Sequence, residues 1–456
     1  MENFINKTIT IIGLSERTGL SVAEKMINLG AEVIISDIKT KEELKPQLSI
    51  LDKFDNIKYD LGGHSDKILK TDLIVLSPGV PTDLAILKKA EQQNIEIISE
   101  IELAYRLTDA NIIGITGTNG KTTVTSLTGH ILKQNLDCKV RVAGNIGSPL
   151  IAEIDNLGEN DWLVVELSSF QLEKIRDFKP EISVFLNFSP DHLDRHKTVK
   201  NYWNAKWRIF ENQNSDDIAV INFDDQYLRN NYKKIKANTY KVTKERNIDQ
   251  GVYYNEEKIY TIDPKLANKT EILKTNVIPL IGTHNITNTA FAVLIARLFN
   301  IKKEAIRESI KSYEAFAHRL EVIYDKEYKI IDDSKATNPH AAVNAMRSIE
   351  MPLILIAGGQ DREADFADFA YAVKQRIKKI ILFGETKLDI KEELDKLNYN
   401  NYVIVENMQE AVKESFKDIK RGDTLLLSPG CPSWDMYESY KKRGLEFQNE
   451  VHKYLK

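Results

Sequence analysis

A glycine-rich stretch followed by a Lys-Thr pair is the part of this sequence whose residue types indicate chemistry most directly. Residues 114–122 read GITGTNGKT and stand between an apolar run and a segment with apolar residues at helical spacing. Glycines let backbone N–H groups converge on a phosphate, and the start of a helix adds positive potential. Lys121 can reach the outer phosphates, and the Thr122 hydroxyl can ligate Mg²⁺. The stretch predicts a variant P-loop, because the strict pattern would need glycine at Ile115; a chance glycine turn is the alternative.

Acidic and imidazole residues follow the next apolar runs. Residues 162–166 read WLVVE, so that Glu166 ends a predicted strand, and residues 187–196 read NFSPDHLDRH after a second one. A carboxylate on a strand beside a P-loop can ligate Mg²⁺, and a second metal would neutralise charge on a transferred phosphoryl group. Alone, the 187–196 cluster is typical of a solvated turn, but its place after a strand next to the P-loop strand favours metal binding.

Parallel strands are the elements that must position these groups, since their carboxyl ends meet at one edge of a sheet. Short apolar runs alternate with helical periodicity nearly throughout the chain, which is typical of α/β sheets covered on both faces. We therefore predict an α/β protein of three domains, residues 1–107, 108–314 and 315–456. The first and third would be Rossmann-like. The second would be a P-loop ATPase-type domain with a parallel sheet and a small, polar β-region near residues 233–274.

The first domain carries a ligand-site pattern of its own. Residues 8–37 predict a strand, a glycine turn, a helix, a second strand and the terminal acid Asp37, as in a dinucleotide-binding unit. Ser15 stands where the second glycine is expected, which favours a nucleotide fold adapted to another ligand. Residues 76–81 (LSPGVP) recur as LSPGCP at 427–432, where α/β sheets place ligands, although two similar strand-ending turns would look the same.

The composition excludes several classes of function. The 456 residues contain 63 Lys+Arg and 67 Asp+Glu, a net charge of −4, so no global basic field exists to hold a nucleic acid or an anionic membrane. The 2 cysteines cannot form a disulfide framework, and the start does not read as a signal peptide. No stretch approaches the ~18 apolar residues of a spanning helix. We expect a cytoplasmic monomer whose partners are small molecules.

Together these motifs resemble the Mur ligases over essentially the whole chain. The shared segments are TGTNGKT at 116–122, GNIG at 144–147, ELSSFQ at 166–171, DHLDR at 191–195, GTHN at 282–285, HR at 318–319 and DSKATN at 333–338. The resemblance implies an ATP-dependent amide-forming enzyme of peptidoglycan precursor synthesis that works through an acyl phosphate. The 333–338 segment resembles the members that add D-glutamate to UDP-N-acetylmuramoyl-L-alanine. The alternatives are a sibling Mur ligase or a folylpolyglutamate-synthase-like ligase with another amino acid and, more remotely, a non-catalytic nucleotide-binding regulator.

The resemblance also implies roles for individual residues. Lys121, Glu166, His192 and Lys206 would be catalytic, and Thr122 would join the last three in holding two Mg²⁺ ions. Lys206 would do so as a carbamate, which offers oxygen ligands where an ammonium cannot. The positions that match ATP-binding residues are Gly117, Thr118, Asn119, Gly120, Lys121, Thr122, Thr123, Asn285, Asn288, His318, Arg319, Asp333 and Lys335.

Two further sets of positions match residues that bind the other substrates. The UDP-sugar set is Ser15, Thr18, Asp37, Lys39, Ser77, Pro78, Gly79, Asn145, Ser168 and His192. The amino-acid set is Thr337, Arg362, Ser433 and Tyr440. The first domain would thus bind the UDP-sugar, the second ATP and Mg²⁺, and the third the amino acid and part of the nucleotide. Two features depart from the family pattern: the 13–19 turn lacks the expected glycine spacing, and Gly430 and Pro432 stand where alanines are usual.

Overall fold

The chain forms three β-sheets flanked by helices. The computed structural model describes residues 4–245, 247–263, 268–280, 282–313, 317–349, 351–361 and 364–455. These fall into two compact units, one of Met1–Val277 with Ile286–Ser312 and one of Ile278–Asn285 with Tyr313–Lys456. The first two sheets lie in the first unit and the third sheet lies in the second. The predicted α/β class is confirmed.

The first sheet is wholly parallel, with strand order β3-β2-β1-β4-β5. Its strands are β1 Thr8–Ile12, β2 Glu32–Asp37, β3 Ile57–Leu61, β4 Leu73–Leu76 and β5 Glu96–Ser99. The helices are α1 Thr18–Asn28, α2 Lys45–Leu51, α3 Ala85–Gln92 and α4 Glu100–Arg106, with a 3-10 turn at Asp66–Leu69. The central strands are almost continuously apolar because helices cover both faces of the sheet.

The second sheet has nine strands in the order β14-β13-β12-β11-β10-β9-β6-β8-β7. They are β6 Asn111–Thr116, β7 Val140–Gly144, β8 Trp162–Glu166, β9 Ile182–Phe185, β10 Ile218–Asn222, β11 Asn238–Thr243, β12 Gly251–Tyr254, β13 Lys258–Asp263 and β14 Asn268–Lys274. The strands β6 to β12 are parallel, and β13 pairs antiparallel with both β12 and β14. The predicted polar β-region therefore adds strands to one edge of the central sheet.

Helices surround this central sheet. They are α5 Lys121–Asn135, α6 Leu150–Glu153, α7 Ser169–Leu172, α8 Leu193–His196, α9 Val199–Trp207, α10 Gln226–Asn231, α11 His284–Leu298 and α12 Lys303–Lys311, with 3-10 turns at Arg208–Phe210, Tyr232–Lys234 and Thr275–Val277. One apolar core runs from the first sheet into the second. Within the described ranges, no helix is both long enough and apolar enough to cross a membrane.

The third sheet has strand order β15-β16-β20-β17-β18-β19, in which only the edge strand β15 is antiparallel. Its strands are β15 Glu321–Asp325, β16 Lys329–Asp332, β17 Leu353–Ala357, β18 Ile377–Leu382, β19 Tyr402–Ile404 and β20 Thr424–Leu427. The helices are α13 Pro339–Ser348, α14 Ala367–Arg376, α15 Lys387–Lys396, α16 Met408–Asp418 and α17 Tyr440–His452. All three sheets thus gather loops at the carboxyl ends of parallel strands, where α/β proteins bind ligands.

Candidate active site

The predicted P-loop joins β6 to α5. Two of its glycines have positive φ angles, 151° at Gly117 and 84° at Gly120, and glycine adopts these conformations without steric cost. A Cβ on Gly120 would also lie 2.5 Å from the side-chain oxygen of Asn288, a buried residue of α11. Asn288 therefore packs directly against the turn that starts α5. Local backbone conformation and tertiary contact both require glycine at position 120.

Two lysines converge on one carbonyl of this loop. Lys121 Nζ donates to the carbonyls of Gly117 and Thr118, both at 2.9 Å, and Lys206 Nζ donates to Gly117 at 2.8 Å. Lys206, on α9, is 2% exposed. Burial, and then the nearby Lys121, hold the pKa of Lys206 well below its ordinary value, while Asp191 and Glu166 act in the opposite direction. The site thus favours a neutral amine at Lys206.

Glu166 ends β8 with an incompletely satisfied carboxylate. Its Oε1 accepts a hydrogen bond of 2.7 Å from the Asn145 amide, and the residue is 2% exposed. Its Oε2 is buried and has no hydrogen-bond partner among the described residues. A buried carboxylate oxygen without a donor is costly unless a cation compensates it. The orphaned oxygen, beside the P-loop strand, therefore fits a Mg²⁺ ligand.

The two imidazoles of the 187–196 cluster lie in different environments. His192 has a left-handed φ of 53° and a half-exposed ring that packs edge-on against Phe170 at 5.3 Å. His196 is buried, and its two ring nitrogens contact the Ser169 hydroxyl at 2.9 Å and the Glu173 carboxylate at 3.3 Å. His192 thus has an accessible ring, as a metal ligand needs, whereas protein groups occupy His196. The sequence pattern alone did not separate these two roles.

The end of β9 is tied to the P-loop by hydrogen bonds. Asn119 N donates to the Asn187 side chain at 2.8 Å, and the Thr118 hydroxyl donates to the Ser189 carbonyl at 3.1 Å. Thr122 and the buried Thr123 lie in the first turn of α5. The structure thus brings together the P-loop, Glu166, the start of the acidic cluster and Lys206.

The predicted UDP-sugar residues of the first domain gather at the ends of β1, β2 and β4. Ser15 Oγ accepts from the backbone N–H of Gly19, 3.0 Å away, while Thr18 begins α1. Asp37 is buried and accepts from the backbone amides of Leu14 at 2.7 Å and Lys39 at 2.9 Å. Ser77, just before Pro78 and Gly79, donates to the Gly13 carbonyl. The atypical turn is therefore held by side chains where glycine spacing is missing.

The remaining two UDP-sugar positions lie on the central sheet. Asn145 follows β7 and is exposed apart from its bond to Glu166. Ser168 follows β8 and caps α7, with a reciprocal pair of hydrogen bonds to Gln171.

Asn285, from the ATP set, is buried at the start of α11, where its N–H donates to the Gly282 carbonyl at 2.9 Å.

A second group of predicted ATP residues lies in the second unit. Asp333 is buried and accepts from the Ser428 hydroxyl at 2.8 Å; burial raises its pKa to about 7. His318 Nδ1 lies 2.7 Å from an Asp332 oxygen, and this hydrogen bond raises the pKa of His318. Arg319 and Lys335 are half-buried. These residues form one polar network at the carboxyl end of β16.

One part of that network has the composition of a metal site. Ligand atoms of His318, Glu321 and Asp332 lie within 4.8 Å of one another. Gln448, on α17, donates to Asp332 at 2.9 Å and to Glu321 at 3.1 Å. These hydrogen bonds already supply what the carboxylates need, so the group is explained as a structural network.

Three of the four predicted amino-acid residues line one cavity of about 550 Å³ in the second unit. They are Thr337, Ser433 and Tyr440; Arg362 lies outside the described residues. Gly430 also lines the cavity and has a φ of 70°, so the departure from alanine coincides with a left-handed turn. A larger cavity of about 790 Å³ lies around α7 to α9, and none of these three residues lines it.

The sequence analysis missed a buried arginine that contacts residues lining the 550 Å³ cavity. Arg443, on α17, is 0% exposed. It donates to the hydroxyl and carbonyl of Ser334 at 3.0 and 2.9 Å, to the Cys431 carbonyl at 3.0 Å and to the Pro432 carbonyl at 3.2 Å. Burial lowers its pKa to about 10. One feature of the sequence could have indicated its burial. Arg443 stands at helical spacing with the apolar residues Phe447 and Val451, and all three are buried on one face of α17.

Comparisons with known proteins match this chain to one family along most of its length. Family models match for the Mur ligase MurD-like N-terminal domain at residues 7–99, the Mur ligase middle domain at 115–296 and the Mur ligase glutamate ligase domain at 318–431. UDP-N-acetylmuramoylalanine–D-glutamate ligase of Alkaliphilus oremlandii is 40% identical over 98% of this chain and 99% of its own. The enzyme of the same name from Clostridioides difficile is 39% identical over 98% of both chains.

Solved structures share the fold at low sequence identity. UDP-N-acetylmuramate-alanine ligase MurC of Thermotoga maritima has a TM-score of 0.59 at 17% identity, covering 98% of this chain and 100% of that one. MurF ligase of the same organism, in complex with ADP, has a TM-score of 0.59 at 17% identity, covering 99% and 96%. The α/β fold described above is thus shared with these solved structures over nearly the whole chain.

Proposed function

The chain belongs to the Mur ligase family, and we propose that it joins D-glutamate to UDP-N-acetylmuramoyl-L-alanine, with conversion of ATP to ADP and phosphate, in peptidoglycan precursor synthesis. The observation that carries the proposal is the 40% identity over nearly the full length to a relative named for that reaction. We assign the UDP-sugar to residues 1–107, ATP and Mg²⁺ to residues 108–314, and the amino acid to residues 315–456.

The chemistry must activate a carboxylate, because its oxygen is a poor leaving group. The alanyl carboxylate of the UDP-sugar attacks the ATP γ-phosphate, and ADP leaves, which gives an acyl phosphate. The D-glutamate amine then attacks the acyl carbon; phosphate leaves from the tetrahedral intermediate, and the amine loses a proton. The backbone amides of residues 117–120 and the Lys121 ammonium would bind the phosphates and stabilise the charge that develops on them.

The residues around Glu166 fit two Mg²⁺ ions. Thr122, Glu166, His192 and a carbamylated Lys206 would hold them: Glu166 offers an orphaned buried oxygen and His192 an accessible ring. Bound Mg²⁺ supplies positive charge against the transferred phosphoryl group. Asn145 would fix the orientation of Glu166 through their 2.7 Å hydrogen bond, as partners of metal ligands commonly do.

The lowered pKa of Lys206 supports the carbamate. Carbon dioxide adds only to a neutral amine; a nitrogen–carbon bond forms and a proton is released, which leaves a carboxylate on the side chain. Burial beside Lys121 favours the neutral amine that this addition requires. The product would place an anion next to Lys121 and supply oxygen ligands that Mg²⁺ prefers.

The amino-acid pocket suits a polar substrate. Thr337, Ser433 and Tyr440 line the 550 Å³ cavity, and a hydroxyl group can hydrogen-bond to a carboxylate. Arg362, which lies outside the described residues, would add a cation that can pair with a carboxylate bidentately. We place the enzyme in the cytoplasm as a monomer, and size-exclusion chromatography with light scattering would test its oligomeric state.

The decisive experiment measures phosphate release and product mass with UDP-N-acetylmuramoyl-L-alanine, ATP and a panel of amino acids. We expect turnover with D-glutamate and little with L-glutamate, L-lysine or diaminopimelate. A preference for L-lysine or diaminopimelate would indicate a sibling ligase. ATP binding without amide formation on any substrate would indicate a regulator.

A further inference from the structure

A partly buried ion pair lies between the region assigned to the UDP-sugar and the region assigned to the metals. Arg195, in α8, reaches Glu173, directly after α7, with an N–O distance of 3.1 Å. Their side chains are 18% and 15% exposed. At this degree of burial the guanidinium and carboxylate form a charge-assisted hydrogen bond that is stronger than a surface ion pair.

On one side, the pair holds the segment that follows β4. Arg195 Nη2 also donates to the Val80 carbonyl at 2.8 Å, and the Thr82 side chain hydrogen-bonds to Glu173. Val80 in turn packs on the first glycine turn, because a Cβ on Gly13 would lie 2.7 Å from its side chain. The pair therefore fixes residues 77–82 and, through Val80, the turn at Gly13.

On the other side, the same pair contacts residues next to His192 and Ser168. The Arg195 guanidinium lies over the Phe170 ring, 5.4 Å from its centroid, and Phe170 packs against His192 at 5.3 Å. Glu173 also lies 3.3 Å from the ring of His196, whose other nitrogen contacts Ser169, the residue after Ser168. One ion pair thus connects both ends of the surface assigned to the UDP-sugar.

We propose that Arg195 and Glu173 are positioning residues for the UDP-sugar substrate. They set the loop at residues 77–82, which contains Ser77, Pro78 and Gly79 of the UDP-sugar set, relative to His192 and Ser168 of the same set. The substrate spans both places, so an error in their separation weakens its binding even though neither residue needs to touch it. This inference rests on the proposed function.

The test measures KM separately for UDP-N-acetylmuramoyl-L-alanine, ATP and D-glutamate in Arg195→Met, Arg195→Lys and Glu173→Gln. We expect Arg195→Met to raise KM for the UDP-sugar about tenfold, the effect of losing one well-placed interaction, with the other two KM values nearly unchanged. The KM of Arg195→Lys for the UDP-sugar should lie between the values of Arg195→Met and the wild type, because one ammonium cannot reproduce the two parallel hydrogen bonds of a guanidinium. The double variant Arg195→Met, Glu173→Gln should raise KM for the UDP-sugar by less than the combined single effects, because both residues act through one contact.

Arg176→Met is the matched control. Arg176 pairs with Glu96 at 2.8 Å but is 67% exposed, so its loss should leave all three KM values unchanged. An equal rise in all three KM values in Arg195→Met, or a lower Tm with unchanged KM values, would overturn the positioning role.

Calorimetric binding of UDP-N-acetylmuramoyl-L-alanine separates this inference from the proposed function. If the wild type binds the UDP-sugar but forms no amide, the proposed function fails, and a tenfold weaker affinity in Arg195→Met would still support positioning. If the wild type turns over and the variant binds equally well, only the inference fails. If the wild type does not bind the UDP-sugar, both fail.

Discussion

Two buried cations in separate parts of the molecule are held in opposite ways. Lys206, behind the P-loop, donates one 2.8 Å hydrogen bond to Gly117, and its pKa lies well below the ordinary lysine value. Arg443, behind the proposed amino-acid pocket, makes four hydrogen bonds to the segments around Ser334 and Cys431, and burial lowers its pKa only to about 10. The lysine is poorly compensated, whereas the arginine is nearly saturated with acceptors.

The number of hydrogen-bond acceptors around a buried basic side chain thus indicates whether it serves the reaction or stabilises the fold. A buried amine with few partners loses its proton easily and becomes available for reaction. A buried guanidinium with many carbonyl partners keeps its charge and fixes backbone segments. We therefore expect substitutions at Lys206 to affect catalysis and substitutions at Arg443 to affect stability and substrate binding.

The sharpest test of this contrast is Lys206→Ala. We expect turnover to fall about 10³-fold, because a metal ligand contributes several kcal/mol of charge stabilisation. Added bicarbonate or short carboxylates should restore part of the activity by replacing the missing oxygen ligand. Steady-state phosphate release with and without these anions measures both effects.

Lys200→Ala is the control for that experiment. Lys200 lies on the same helix, α9, but is exposed, so its loss should leave turnover unchanged. Full activity in Lys206→Ala would remove the carbamate from the mechanism.

Glu166→Gln tests whether the orphaned oxygen is a metal ligand. The substitution keeps the size of the side chain but removes the negative charge, and we expect about 10²-fold lower turnover with a higher Mg²⁺ concentration at half-maximal activity. A Mg²⁺ titration of activity measures the shift. Glu159→Gln, at an exposed carboxylate before β8, is the control, and an unchanged Mg²⁺ requirement in Glu166→Gln would contradict the assignment.

Arg443→Met tests the other side of the comparison. The carbonyls of Ser334, Cys431 and Pro432 lose their donor, so we expect a loss of about 3 kcal/mol in the free energy of unfolding. Because Cys431 and Pro432 line the proposed amino-acid pocket, KM for D-glutamate should rise while kcat changes little. Urea unfolding and steady-state kinetics measure the two effects.

Lys442→Met is the control, since Lys442 is the exposed neighbour of Arg443 on α17. Arg443→Lys should retain part of the stability, because one ammonium reaches fewer carbonyls than the guanidinium fork. Normal stability of Arg443→Met would show that water can replace these hydrogen bonds.

The fold and the phosphate loop could be predicted because their signals are contiguous. Apolar runs that alternate with helical periodicity indicate parallel strands covered on both faces, and the strand predicted at residues 162–166 has the same bounds as β8. The predicted P-loop consists of consecutive residues whose backbone would bind the phosphates. Roles for Lys121 and Thr122 could therefore be proposed directly from their spacing.

Burial of charge could not be predicted in the same way. Local composition gives Lys206 the appearance of a solvated helix residue, and only the family resemblance indicated its role. Arg443 was missed because an isolated charge usually predicts exposure, and its acceptors come from distant parts of the chain. His192 and His196 are only four positions apart. Their different environments become visible only in the tertiary structure, where Glu173 and Ser169 contact the ring of His196.

The smallest expected effect concerns Asp333, a buried anion that extends the comparison to the opposite charge. Asp333 accepts hydrogen bonds from the neutral Ser428 hydroxyl at 2.8 Å and from the Leu320 amide at 3.2 Å, and burial raises its pKa to about 7. In the unfolded chain the pKa would be about 3.9. The folded state therefore binds more protons than the unfolded state between these values, and this contribution to stability is lost as the pH rises towards 7.

Asp333→Asn removes this titration while keeping the shape of the side chain. Between pH 5 and pH 8 we expect the variant to gain stability relative to the wild type, at about 1.4 kcal/mol for each pH unit over which the native carboxyl stays protonated. Urea unfolding across this range measures the slope, and other titrating groups cancel in the difference. Asp325→Asn, at a largely exposed carboxylate in β15, should leave the slope unchanged. A pH-independent difference for Asp333→Asn would mean that Arg319 compensates the buried anion, and that Asp333, like Arg443, is a satisfied charge.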